Sequence, residues 1–185
     1  DLAWEAGFND LNKTLAEYGF DQSYAEPGAY TQVDGQLHSI NTIAGGEEYL
    51  FVSVGEYKDC QIARAEIGFE NLTQAETINY SISLVDNSDW ASASVNFYKN
   101  NNQELVANIV GNGAATAFVN DLSIEDDYIV EFVTRVDVTQ GKEYIDVYLF
   151  EKGGERGEVR LSAEKEITNG WGEMEFELYN ANDIG

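Results

Sequence analysis

The 185-residue chain holds one proline, one cysteine, one histidine and one methionine, and only 10 lysines and arginines against 34 acidic residues. Each scarcity excludes something. A lone Cys60 allows no internal disulfide, so the fold must rest on its packed core. Free cysteine is usually buried and unreactive, and Cys60 is expected to be an inert buried thiol. Without clustered cysteine and histidine there is no zinc or iron–sulfur ligand set. A Ser-His-acid triad would have to recruit His38, which falls in a predicted strand where a structural imidazole is expected. The formal charge of −24 repels phosphate backbones and anionic membranes, which argues against nucleic-acid binding. No run approaches the roughly eighteen apolar residues of a membrane helix, so membrane insertion is not expected. The chain opens at Asp1 with neither an initiator Met nor a basic-then-apolar leader, as a mature secreted protein or an excised domain would.

What is present is enough for a core. Hydrophobic residues make up 43% and aromatics 12%, more than a disordered acidic chain carries. The length fits one domain. Asn12-Lys-Thr14, Asn71-Leu-Thr73 and Asn79-Tyr-Ser81 are N-glycosylation sequons, in keeping with an extracellular or cell-surface location.

From Gly28 to Tyr179, short runs of period-two alternation are punctuated by Gly, Asn and Asp, the pattern of antiparallel strands in a sandwich. Before that, Phe8, Leu11, Leu15 and Tyr18 recur at helical spacing, with Asn9 or Asp10 to cap and Gly19 to stop, which predicts a helix over 9–18. The expected organisation is an N-terminal segment, 1–27, packed on a β-sandwich of 28–185. A hairpin is expected around Gln140-Gly141. A two-residue loop there would pair Val136 with Ile145, Thr134 with Val147 and Phe132 with Leu149 on the inward face. The same register sets Arg135 beside Asp146 on the outward face, flanked by Tyr144, Tyr148 and Phe150. Asn112-Gly113, a strong type I′ signal, marks a second hairpin. Val95 and Phe97 alternate with Asn96 and Tyr98, and Met174, Phe176 and Leu178 alternate with Glu173, Glu175 and Glu177. Each alternation gives one core face and one polar face.

The stretches GAYTQVDGQLHSI, EEYLFVSV, IGFENLTQAETINYSISLV and DYIVEFVTRVDVTQGKEYIDVYLF together resemble the concanavalin A-like jelly rolls of laminin-G-type and carbohydrate-binding modules. The likeness runs from about 28 to 180 through Asp34-Gly35-Gln36-Leu37 and the long hairpin of 128–150. It implies an all-β antiparallel jelly-roll sandwich that binds carbohydrate.

Candidate site residues follow from ring and oxygen chemistry. Trp90, Tyr98, Tyr144, Tyr148 and Trp171 could stack on sugar rings, with Arg135 and Asp146 to take hydroxyls. Trp171, between Gly170 and Gly172, is expected in an exposed or edge loop. Calcium takes six to eight oxygens from curving loops, and Asp86 with Asp89, Asp121 with Asp126 and Asp127, and Asp183 at the C-terminus are the candidates. Catalysis has no matching signature. No strand carries E-x-D-x-x-E, and Glu143-Tyr-Ile-Asp146 misses it. Gln36-Leu37-His38, Arg64-Ala65-Glu66 and FYKNNNQ resemble alginate-lyase motifs, but in the wrong order and with Gly68 where a second arginine belongs. The expectation is therefore a non-catalytic extracellular carbohydrate-binding sandwich with structural calcium. The alternative is a self-assembling subunit of a filament, sheath or coat, in which the segment DLAWEAGF adds to a neighbouring copy's sheet.

Overall fold

The computed structural model describes residues 4–39, 47–69, 79–113 and 115–181. Among the described residues thirteen strands run in chain order. They are β1 (Phe20–Asp21), β2 (Tyr30–Val33), β3 (Gln36–Ser39), β4 (Glu48–Glu56), β5 (Ile62–Ile67), β6 (Asn79–Asp86) and β7 (Ser92–Lys99), then β8 (Leu105–Gly111), β9 (Ala115–Val119), β10 (Tyr128–Asp137), β11 (Lys142–Glu151), β12 (Leu161–Glu166) and β13 (Glu173–Asn180). They form a seven-stranded antiparallel sheet in the order β1-β4-β13-β6-β7-β8-β9, a four-stranded sheet β12-β11-β10-β5 and a small β2-β3 ribbon. This is the expected all-β sandwich.

Alternation explains the core. Leu50 and Val52 of β4, Met174 and Phe176 of β13, Ile82 and Leu84 of β6, and Val95 and Phe97 of β7 point inward from the larger sheet and are buried. They meet Val130 and Phe132 of β10, Ile145, Val147 and Leu149 of β11, and Leu161 and Ala163 of β12. Phe132 and Phe176 close the gap edge-to-face at 6.0 Å between centroids. At one end the layers approach so closely that Gly111 has no room for a side chain. A Cβ there would collide with Leu161 and lie 3.1 Å from Ala163.

The N-terminal segment departs from the expected helix. Only a 3-10 turn forms, over Ala16–Tyr18. Phe8 has a positive φ of 55°, incompatible with a right-handed helix, and Leu11 is exposed. The turn is held by a reciprocal box in which Thr14 N donates to Glu17 Oε2 and Glu17 N to Thr14 Oγ1. Trp4 donates its indole N–H to Tyr18 O at 2.7 Å and packs edge-on against Phe20, so this segment docks on its own sandwich and supplies β1.

The long hairpin has the expected faces in a register shifted by two. Asp137 pairs with Lys142, so Thr134 faces Ile145, Phe132 faces Val147 and Val130 faces Leu149. Asp137 Oδ1 accepts from Gln140 N inside a four-residue loop, and that side-chain turn outcompetes the two-residue one. A slip of two preserves which side each residue faces. Asn112 and Gly113 both take positive φ, as their hairpin requires.

Cys60 is exposed, contrary to expectation. It sits at φ 59° in the short β4–β5 connection, where the chain turns too sharply to carry its thiol inward. His38 is in β3, its Nε2 3.1 Å from Gln36 Oε1. Among the described residues no helix is long and apolar enough to cross a membrane.

Candidate functional site

The outer face of the seven-stranded sheet is built by the residues that alternate with its core. Register places them in transverse rows. Phe51, Glu177, Ser83, Ser94 and Val110 lie side by side across β4, β13, β6, β7 and β8. The next row is Tyr49, Tyr179, Ser81, Asn96, Asn108 and Phe118. On the other side of the first come Ser53, Glu175, Val85 and Ser92. One face therefore presents an aromatic strip on β4, a glutamate row on β13 and a floor of small polar side chains on β6 and β7.

Each strip has a local cause. The aromatic strip is braced by ring contacts. Tyr49 stacks on Phe51 at 6.0 Å and 5° between planes, Tyr49 meets Tyr179 at 4.8 Å, and Tyr24 meets Phe51 edge-on at 5.7 Å. Glu47 ties it down by accepting from Tyr179 Oη at 3.0 Å and Tyr49 Oη at 3.5 Å. Burial, then hydrogen bonding to and repulsion from Glu47, push the Tyr179 phenol upward. The floor is knitted by Ser83 Oγ donating to Ser94 Oγ at 2.8 Å and Ser81 Oγ to Asn96 Oδ1 at 2.5 Å. Asn108 keeps a buried Oδ1 without a hydrogen-bond partner.

The glutamate row is the chemically pointed part. Among the described residues, Glu173, Glu175 and Glu177 enter no ion pair. Glu175 accepts only a long bond from Asn87 Nδ2, at 3.4 Å. Burial pushes the half-buried Glu177 carboxyl above its ordinary range, and the negative charge of Glu175 adds to the effect. A register break between Met174 and Glu175 leaves Val54 of β4 without a partner, and Gly55 takes φ 89° to allow it. Such a bulge re-aims the side chains beside it.

The structure scatters the residues singled out from sequence. Tyr98 lies on this face, opposite Asn79 and Val106. Trp90 is 65% exposed at φ 62° in the turn joining β6 and β7. Arg135, Tyr144, Asp146 and Tyr148 occupy the outer face of the four-stranded sheet, on the other side of the sandwich. There Arg135 Nε meets Asp146 Oδ2 at 2.8 Å and its guanidinium covers the Tyr144 ring at 4.1 Å, while Arg156 covers Tyr148 at 4.1 Å. Trp171 is only 6% exposed, contrary to expectation. Glu143 draws it in by accepting from Trp171 N at 2.9 Å, and Lys165 sits 4.8 Å above its ring.

The cation that meets Asp86 and Asp89 is also Lys165, whose Nζ lies 2.9 Å from Asp86 Oδ2 and 2.7 Å from Asp89 Oδ2. Asp121, Asp126 and Asp127 line the β9–β10 connection, where Asp127 O accepts from Lys152 N. Asp183 lies outside the described residues. Among the described residues no three His, Cys, Asp or Glu side chains gather as a metal-binding group.

No family model and no curated protein matches the chain. Solved structures do. A Crh5 transglycosylase in complex with NAG matches with a TM-score of 0.59 at 10% identity, over 96% of this chain and 67% of that one. A Bacillus licheniformis β-glucanase matches with a TM-score of 0.50 at 12% identity, over 94% of this chain and 83% of that one. The fold is a concanavalin A-like jelly roll. The expectation that this chain is no enzyme is overturned, because the jelly roll it shares is here the scaffold of a transglycosylase and a glucanase. The lone His38, the out-of-order lyase-like motifs and the missing E-x-D-x-x-E spacing leave untouched Glu173-Met-Glu175-Phe-Glu177, where three carboxylates share one face of one strand. That alternation was visible in the sequence as an acidic stripe. What was not visible was the aromatic strip that pairing with β4 sets beside it.

Proposed function

We propose that this chain binds a polysaccharide or glycan on the outer face of the seven-stranded sheet and acts on its glycosidic bonds there. One observation carries this: rings, cation-free glutamates and hydroxyl groups lie in adjacent strips of a single face. Pyranose rings would stack on Tyr49, Phe51 and Tyr179, and their hydroxyls would exchange hydrogen bonds with Ser81, Ser94 and Asn96. Glu177, harder to ionise than an ordinary glutamate, suits the proton donor to the leaving oxygen. Glu175, one same-face position away, suits the second carboxyl of the pair. Same-face positions on a strand are about 6.7 Å apart, a span from which paired carboxyls reach the separations of roughly 5–9 Å that glycoside cleavage uses. The likeness to a transglycosylase and a β-glucanase supports a glycan as substrate, and an extracellular setting goes with it.

The test is turnover of a panel of β-glucan and chitin oligosaccharides, followed by release or transfer of the reducing end. Glu177→Gln should lower turnover by about 10²–10⁴-fold with binding retained. Turnover by wild type that Glu177→Gln leaves intact, or failure of the wild type to bind any of the panel, would overturn the proposal.

A further inference from the structure

Resting on this assignment of the face to a glycan, we infer that its ligand carries protonated amino groups: a glucosamine-type polymer with free amines, in preference to a neutral or acidic one. The inference starts from where the cations are. Of the ten lysines and arginines, seven belong to the four-stranded sheet and its β11–β12 connection. Lys13 caps the Tyr18 ring in the N-terminal turn, Lys58 lies between β4 and β5, and Lys99 follows Tyr98 on the inward alternation of β7. None occupies an outward position on the seven strands, and the segments outside the described residues contain no lysine or arginine.

Carboxylates, by contrast, stand on both sheets. Glu173, Glu175 and Glu177 form the central row, Glu56 stands directly opposite Glu173, Asp21 stands opposite Phe51, and Glu47 holds Tyr49 and Tyr179. Like charges paired across strands destabilise a sheet unless something offsets them. The other sheet offsets its own acids with arginines, as at Glu131, where Arg64 and Arg156 approach to 3.5 and 3.7 Å. The glycan face has no such internal counter-charge. A polyuronate would add repulsion, and a neutral glycan would gain stacking and hydroxyl hydrogen bonds but no charge pairing. An amino-glycan gains stacking on the aromatic strip together with ammonium–carboxylate pairs along β13.

The test is calorimetric titration of the full chain, at about pH 6 where ordinary carboxylates are ionised, with a glucosamine hexasaccharide, its N-acetylated counterpart, a neutral β-glucan hexasaccharide and an oligogalacturonate. The free-amine sugar should bind at least about ten-fold more tightly than the acetylated one, and the oligogalacturonate should not bind. The advantage should vanish in about 1 M salt, where the screening length falls to about 3 Å. A Glu173→Gln, Glu175→Gln, Glu177→Gln triple variant that melts no lower than the wild type should lose the advantage. A charge-matched Glu125→Gln, Glu151→Gln, Glu155→Gln variant should keep it. Equal affinity for amine and acetylated sugars refutes the inference while leaving glycan binding standing. Equal loss in both triples would also refute it, by showing diffuse attraction of a polycation. Binding of none of the four sugars brings down the glycan assignment itself.

Discussion

Replacing Asp86 with alanine should be among the most damaging single changes available to this fold. Asp86 is fully buried where the β6–β7 turn, β12 and the start of β13 converge. Its Oδ2 accepts from Lys165 Nζ and Gly172 N, each at 2.9 Å, and its Oδ1 from Ser88 N at 3.0 Å and Ser88 Oγ at 2.6 Å. Truncation orphans those donors and leaves Lys165, whose side chain is only 8% exposed, with Asp89 as its one carboxylate partner. Removing one partner of a buried pair costs about 3–5 kcal/mol, and the surviving Asp89 contact argues for the lower end, about 3 kcal/mol. At about 2–4 °C per kcal/mol for a domain of this size, the melting temperature should fall by about 6–12 °C.

Circular-dichroism melts at neutral pH measure the loss. A paired Asp86→Asn, Lys165→Met replacement should recover much of it, since neither group then carries a buried charge. An acid titration adds an independent check. Burial alone would raise the Asp86 carboxyl, but Lys165, Ser88 and the Gly172 N–H outweigh it and hold the pKa at about 2, below its ordinary 3.8. A carboxyl depressed on folding stabilises above its unfolded value, and that stability drains away as pH falls through the folded one. The contribution of roughly 2 kcal/mol should thus be lost between about pH 4 and pH 2. Asp86→Ala should show a shallower acid limb. A melting temperature within about 2 °C of wild type, or an unchanged acid limb, would refute the account of the clamp.

Three further outcomes are expected. Glu177→Gln should raise the melting temperature at neutral pH as it lowers activity, because a carboxyl harder to ionise folded than unfolded disfavours the fold once charged; a fall in melting temperature would contradict its unpaired state. Gly111→Val, forced against Leu161 and Ala163, should cost about 1–3 kcal/mol in chemical denaturation, and a neutral result would mean the layers yield more readily than their approach indicates. Cys60 should react fully with a thiol reagent in native buffer, whereas a requirement for denaturant would place it inside.

Strands were legible wherever alternation ran uninterrupted: Val95 and Phe97 against Asn96 and Tyr98, or Met174 and Phe176 against the glutamates, fixed their own faces. The failures came where local and distant contacts compete. Phe8, Leu11 and Leu15 keep helical spacing, yet Phe8 and Tyr18 are drawn toward Phe20 and the β1 edge, leaving Leu11 in water. Trp171 reads as a loop residue between two glycines. Those glycines instead make room: a Cβ on Gly170 would overlap Glu143, the residue that holds Trp171 inward. The candidate site was hidden for a related reason. Its strips come from β4, β13, β6 and β7, and only the pairing of the last strand between β4 and β6 makes neighbours of Tyr49, Tyr179 and Ser81.

The serine floor of β6 and β7 carries an evolutionary consequence. Ser81, Ser83, Ser92 and Ser94 alternate with Ile82, Leu84, Ala93 and Val95, so the chemistry of the outer face and interior packing are written on separate positions of the same strands. Successive substitutions at the odd residues of β6 and the even residues of β7 can change the outer face while the interior stays as it is. Under the proposed glycan-binding role, the same scaffold could drift from one sugar to another without losing its fold.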